Sequence, residues 1–163
     1  MSYKAKTWEE KLKEDKGYPK FLKLEENFPC YRALKKMGAE IGDGVVIAPA
    51  TEVYELMSRV PQGRLQSLEQ ICIKLAQKHD TPYCCTLTTG IFITVAANAA
   101  AEMNSDLPYW RTVKNNGELN KKYPGGMEKQ KELLAREGHE FTKRGRKHIR
   151  YLVKDYKHKL ITL

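Results

Sequence analysis

The sequence predicts an α+β fold: a mainly helical winged helix-turn-helix domain with a small β wing, an N-terminal helical or irregular arm and a C-terminal basic β-hairpin. Three observations predict it. Short amphipathic helices with capping signals are separated by breaks, an apolar segment with the composition of a buried helix follows them, and turn residues then punctuate short β-prone runs. The 163 residues, 41% hydrophobic and 30% charged, suit one soluble globular domain with an appendage, and exclude a disordered chain, a collagen and a membrane-embedded bundle. The expected divisions are an arm over 1–50, the winged-helix domain over 51–138 and the hairpin extension over 139–163.

Thr7-Trp8-Glu9-Glu10 is a capping-box pattern that opens a short charged helix ending before Gly17-Tyr18-Pro19. Residues 17–44 show little periodicity and read as an irregular arm anchored by Phe21, Leu22, Leu24 and Phe28, with Val45–Ile47 as a short strand. Thr51 is placed to cap a helix whose Val53, Leu56, Met57 and Val60 form one apolar stripe. After the turn at Pro61-Gln62-Gly63, Ser67 and Gln70 make a second capping box, and Leu68, Ile71, Cys72, Leu75 and Ala76 a second stripe. His79-Asp80-Thr81-Pro82 breaks that helix. Thr86, Thr88 or Thr89 then caps a third, running through Ile91, Phe92, Val95, Ala96, Ala99 and Ala100.

Pro108–Val113 reads as a strand, with Asn115-Asn116-Gly117 supplying the turn to Glu118-Leu119 as a two-stranded ribbon. A helix over Met127–Glu137 ends at Gly138, a residue suited to a left-handed cap. Strands at Glu140–Thr142 and His148–Val153 flank Lys143-Arg144-Gly145-Arg146-Lys147, a hairpin tip loaded with cations.

Charge is distributed unevenly. The net charge is +9, yet residues 1–140 are close to balanced, whereas 141–163 hold eight basic side chains against one acidic. Such a block either is a solvated face or follows a phosphate row, so a polyanion is the partner class to test. The four cysteines, Cys30, Cys72, Cys84 and Cys85, occur without a secretory signal, so reduced thiols in the cytoplasm are expected. No C-x-x-C pair or spaced histidine pair is present, and neither a metal nor another cofactor is expected. The apolar run from Leu87 to Met103 is shorter than a bilayer span requires and reads as a buried helix rather than a membrane segment.

Three ordered blocks, Val60-Pro61-Gln62-Gly63-Arg64-Leu65, Pro108-Tyr109-Trp110-Arg111-Thr112-Val113 and Lys131-Glu132-Leu133-Leu134-Ala135-Arg136-Glu137-Gly138, resemble the C-terminal domain of the O6-alkylguanine-DNA alkyltransferase (MGMT) family. The corresponding family patterns are V-P-x-G-x-V, P-C-H-R-V and K-x-x-L-L-x-x-E-G. The resemblance implies that position 109 is the alkyl acceptor, where this chain has Tyr109 in place of cysteine. Trp110 stands for the activating histidine, Arg111 is kept, and Glu137 falls at the family's glutamate. A phenol of pKa near 10 does not replace an activated thiolate at neutral pH. The pattern is therefore similar to that of non-catalytic alkyltransferase-like proteins, which sense alkylated bases in DNA without repairing them, although these usually keep the histidine. The resemblance also implies a tyrosine that helps rotate the 3′ phosphate where Leu68 stands, and on the recognition helix an arginine that takes the place of the flipped base, yet no Lys or Arg occurs between Lys78 and Arg111.

The expected function is a non-catalytic DNA-binding protein of DNA repair. Phosphate contacts are expected from Thr86, Thr88 and Thr89, from Lys114, Lys121 and Lys122, and from Lys143, Arg144, Arg146 and Lys147. Tyr109 is expected in a remnant base pocket, where an aromatic face stacks on an extruded base for roughly 1 to 3 kcal/mol. Arg111 and Glu137 read as a brace for the fold. The alternatives are an RNA, ribosome or protein interaction module on the same fold, and an alkyltransferase that uses Cys84 or Cys85 as acceptor.

Overall fold

The computed structural model describes residues 4–163, so the first three residues of the expected arm lie outside the described residues. Helix α1 (Trp8–Lys13) begins at the expected capping box: the Thr7 hydroxyl accepts from the Glu10 amide, and the Glu10 carboxylate accepts from the Thr7 amide. Glu102, at the far end of the chain's longest helix, accepts from the Trp8 and Glu9 amides at 3.2 and 3.1 Å. A carboxylate at a helix N-terminus is favourably placed. It docks α1 so that Leu12 enters the main core.

Residues 17–44 are more regular than their lack of periodicity suggests. They form β1 (Lys20–Lys23) and α2 (Tyr31–Lys36), and β2 (Gly44–Ile47) follows. The sheet order is β1-β2-β4, with β2 antiparallel to β1 and parallel to β4 (Tyr83–Cys84). β1 is an edge strand with all four residues exposed, so it carries no alternation to read. Phe21 and Leu22 are accordingly exposed rather than anchors, whereas Leu24 is fully buried and packs with Leu34, Ala39 and Val45 in a second core.

Helix α3 (Ala50–Ser58) is capped by Pro49 instead of Thr51; its extended backbone turns the chain into the helix, and its carbonyl accepts from the Glu52 amide. Val53 and Met57 carry the buried stripe. β3 (Gln66–Ser67) leads into α4 (Leu68–Lys78), which opens on the expected Ser67–Gln70 capping box. Asp80, in the left-handed region, makes the break. Helix α5 (Thr86–Glu102) starts from Cys85 rather than from a threonine. Its buried Ala96, Ala97, Ala99 and Ala100 let α1, α3 and α4 approach closely. The helix is not buried throughout, because Leu87 and Ile91 remain about half exposed on its first turns.

The strand expected at 108–113 is mostly a 3₁₀ turn over Tyr109–Arg111, closed by the Arg111 amide donating to the Pro108 carbonyl, and only β5 (Thr112–Val113) is extended. β5 pairs in parallel with β3 rather than folding back as a ribbon. The turn after it holds through Lys114 and Gly117, and Glu118 bridges to Leu152. Helix α6 (Gly126–Arg136) ends at Glu137 with Gly138 left-handed, and β6 (Phe141–Arg144) and β7 (Arg150–Val153) form the antiparallel C-terminal hairpin before α7 (Tyr156–Lys159). Backbone bonds stitch this extension to the body. Val153 donates to Gly117, Leu119 to Tyr151, Leu65 to Lys159 and Ile161 to Leu65, around a third core of Leu65, Val113, Leu119, Leu134 and Val153. Among the described residues no helix is long and apolar enough to cross a membrane.

Gly117 is the tightest point of this seam. Its φ is +83°, and a Cβ there would lie 2.7 Å from the root of the Tyr156 ring. Gly117→Ala is expected to destabilise the fold by about 2 kcal/mol through backbone strain and overlap. The measurement is urea unfolding, where a lower midpoint at unchanged slope is expected. An unchanged midpoint would show that the turn relaxes freely.

Candidate functional site

The 3₁₀ turn delivers three side chains in a row, and each finds a partner inside the protein. Tyr109 is buried, with its ring edge-on to Trp110 at 5.4 Å and to Tyr123 at 5.3 Å, and its hydroxyl donates to the Pro124 carbonyl. Burial pushes its phenol above the ordinary value. The Trp110 indole N–H donates to Glu137 Oε2 at 3.0 Å. Arg111 Nε donates to Glu137 Oε1 at 2.6 Å and to Oε2 at 3.2 Å, while its Nη1 donates to the Val60 carbonyl. Gln130 holds the turn from the other side, donating to the Trp110 carbonyl and accepting from the Asn120 amide.

An open groove of about 970 Å³ runs along α5. One wall is α5 itself, through Leu87, Gly90, Ile91 and Thr94; the other is the arm, through Trp8, Lys11, Ala33 and Lys36. A second hollow of about 300 Å³ continues it past Lys114, Lys121 and Lys122. Tyr109 lines neither hollow. The remnant-pocket expectation thus meets a ring packed into the core, because the 3₁₀ turn points it inward where a strand would have offered one face.

The expected phosphate contacts separate into groups. Thr89 is buried, and its hydroxyl donates to the Cys85 carbonyl at 2.7 Å, so it is spent within the helix. Thr88 lies against the Cys85 sulfur, and Thr86 lines the groove. Lys114, Lys121 and Lys122 are exposed around the second hollow. Lys143, Arg144, Arg146 and Lys147 are exposed on the hairpin, and no ion pair is found for them among the described residues. The 114–117 turn links these groups: Asn115 accepts from the Glu69 amide beside the groove, and Asn116 shares a depression with Thr142 and Arg144. Lys11 and Lys36 were not legible as site residues, because the arm that carries them reaches α5 only in the folded chain.

The family model described as 6-O-methylguanine DNA methyltransferase, DNA binding domain, matches residues 48–139, more than half of the chain. The chain belongs to that family. Two solved structures share the fold of this methylguanine-methyltransferase family member. One is the crystal structure of S. pombe Atl1 in complex with damaged DNA containing O6-carboxymethylguanine, at 19% identity and a TM-score of 0.51, covering 70% of this chain and 94% of that one. The other is S. pombe ATL in complex with DNA, at 18% identity and a TM-score of 0.52, with the same coverage. No curated protein matches the chain by sequence.

At the position where the resemblance implies the acceptor, the Tyr109 phenol is thus buried, and the Glu137 carboxylate accepts from both Trp110 and Arg111. The remaining thiols sit elsewhere. Cys84 and Cys85 are both buried, as are Cys30 and Cys72. Cys72 donates toward Cys84 and holds that thiol below its ordinary value, while its own is raised. Burial pushes the Cys30 thiol up to about 12. Among the described residues no acidic, histidine and cysteine cluster has the geometry to hold a metal ion. His139, two residues past Glu137, is buried with neither ring nitrogen hydrogen-bonded.

Two outcomes follow from this geometry. Glu137→Ala leaves the largely buried Arg111 guanidinium without its counter-charge, and its Nε–H and the Trp110 N–H without an acceptor, which is expected to cost about 3 kcal/mol in urea unfolding. Glu137→Gln, which keeps one acceptor oxygen, should lose less; equal losses would show that the charge contributes nothing. For His139, burial, reinforced by the Lys159 ammonium and opposed by Glu137, holds the imidazole below its ordinary value. As pH falls through about 6.5 the unfolded chain takes up the proton first, so stability declines from there until the folded-state pKa is passed. A lower urea midpoint is expected at about pH 5.5 than at about pH 7.5, with a smaller difference in His139→Leu. The same difference in both proteins would place the acid sensitivity elsewhere.

Proposed function

We propose that this protein is a non-catalytic, alkyltransferase-like DNA-binding protein acting in DNA repair. The observation that carries the reading is the open, lysine-rimmed groove along α5 beside an acceptor position closed by the buried Tyr109 ring. A polyanion is attracted to such a rim, and the Cys30 thiol that lines the groove is buried and kept protonated, its pKa pushed up to about 12, so it is a poor alkyl acceptor. Atl1 of S. pombe, which shares the fold, was crystallised with damaged DNA, and this supports duplex DNA as the partner.

Thr86, Lys114, Lys121 and Lys122 contact the backbone nearest α5, and Lys143, Arg144, Arg146 and Lys147 extend that contact along the duplex. These contacts position the protein, whereas discrimination between bases has to come from the α5 face. The divisions at residues 50 and 138 separate the arm wall of the groove and the hairpin from the central domain. Four free thiols suit a reducing compartment, and the cytoplasm is the proposed location.

The test combines duplex titration at stepped salt with intact-mass analysis, using duplexes with and without O6-methylguanine. Binding should weaken with salt, no methyl group should be gained, and neutralising the four hairpin cations should reduce the log-log slope by about 0.9 per lost phosphate contact. Binding to neither duplex would refute the DNA reading and favour an RNA or protein interaction module. A stoichiometric methyl gain at Cys84 or Cys85 would make the protein an enzyme.

A further inference from the structure

Three features of the groove remain unused by the folded protein. Leu87 and Ile91, one helical turn apart on α5, are 49% and 52% exposed, although both are large apolar side chains. Gly90 lies between them and faces both hollows. A Cβ on Gly90 would meet nothing within 4 Å, so no internal contact requires a glycine there, and glycine inside a helix is unfavourable. The charges around this face are one-sided: Lys11 and Lys36 on the arm, and Lys114, Lys121 and Lys122 across α5, against Glu69 alone among the described residues that line the two hollows.

We infer that Leu87 and Ile91 form an apolar wedge that α5 presses against a base step of a duplex, with Gly90 as the point where the sugar-phosphate backbone comes closest. This deepens the DNA reading above and rests on it. Cations at the rim complement phosphates, which favours nucleic acid over an apolar protein surface as the occupant. An apolar side chain set against a base step unstacks it partly and kinks the duplex, and the glycine removes the side chain that would hold the backbone away. A helix without Lys or Arg makes no charged contact to the bases, so the wedge reads how easily a step opens. Mismatched or damaged steps, whose stacking is already weakened, are the substrate class it selects.

The full chain should be titrated with a short paired duplex and with the same duplex carrying one central mismatch, each with 2-aminopurine beside the central step. Wild type is expected to bind the mismatched duplex about tenfold more tightly and to brighten the 2-aminopurine as the step opens. Leu87→Ala and Ile91→Ala should lose the preference and the brightening while keeping salt-sensitive binding, since both residues are exposed and the lysines remain. Gly90→Ala should raise the melting temperature by about 3 °C yet weaken binding to both duplexes, two effects of opposite sign that misfolding does not produce. Unchanged preference in Leu87→Ala and Ile91→Ala, or unchanged affinity in Gly90→Ala, would overturn the wedge and leave DNA binding intact. Absence of salt-sensitive binding to either duplex would overturn both readings and leave the face to a protein partner or a second copy of the chain.

Discussion

The Glu137 carboxylate accepts from the Trp110 indole and the Arg111 guanidinium, and Arg111 also donates to the Val60 carbonyl, so one buried charge ties together the end of α3, the 109–111 turn and the end of α6. A buried ion pair is costly to desolvate, and its net contribution to stability is small unless every polar atom is matched. Here the matching is close to complete, and what the pair supplies is placement. With Gln130 holding the same turn from its other side, Tyr109 has no direction left but inward, against Tyr123. The burial of Tyr109 is thus a consequence of the bracket as much as of the residue type at 109. The resemblance implies a histidine at 110; the indole there still reaches the glutamate, but as a donor with no basic nitrogen.

Helix α5 divides into two halves of different character. Alanines in its C-terminal half allow three other helices to close on it, and Glu102 at its end fixes α1 through two amides. Its N-terminal half carries larger apolar side chains, yet it is covered on one side only. The arm supplies a wall there rather than a lid. The same segment therefore serves as the centre of the core and as the floor of an open surface.

Legibility in the sequence followed the range of the interactions involved. Both capping boxes, at Thr7–Glu10 and Ser67–Gln70, were readable because they close within four residues, and so were the stripes of α3 and α4, the Gly138 stop and the cationic hairpin. β1 was not, since an edge strand with four exposed residues has no pattern. The 109–113 segment read as a strand because its residue types favour one, whereas tertiary contacts to Glu137 and Tyr123 select the 3₁₀ turn. Thr89 reads as a cap at the helix start, but the helix is capped four residues earlier, at Cys85, and the Thr89 hydroxyl is turned inward onto that residue's carbonyl. The bracket of Arg111 and Glu137 was legible only through the family pattern that places the two residues together. The groove was legible from neither source, because its walls come from residues 8–37 and 86–95, which meet only in the folded chain.

The 114–117 turn is fastened on both sides, by Asn115 to the start of α4 and by Gly117 to β7. The hairpin and the start of α4, which lines the groove beside α5, are therefore held by one turn. Moving the hairpin away from this turn breaks the backbone bonds at Gly117 and Leu119, so the fold itself sets the interval between the hairpin and the groove. A partner that touches both therefore has to match that interval.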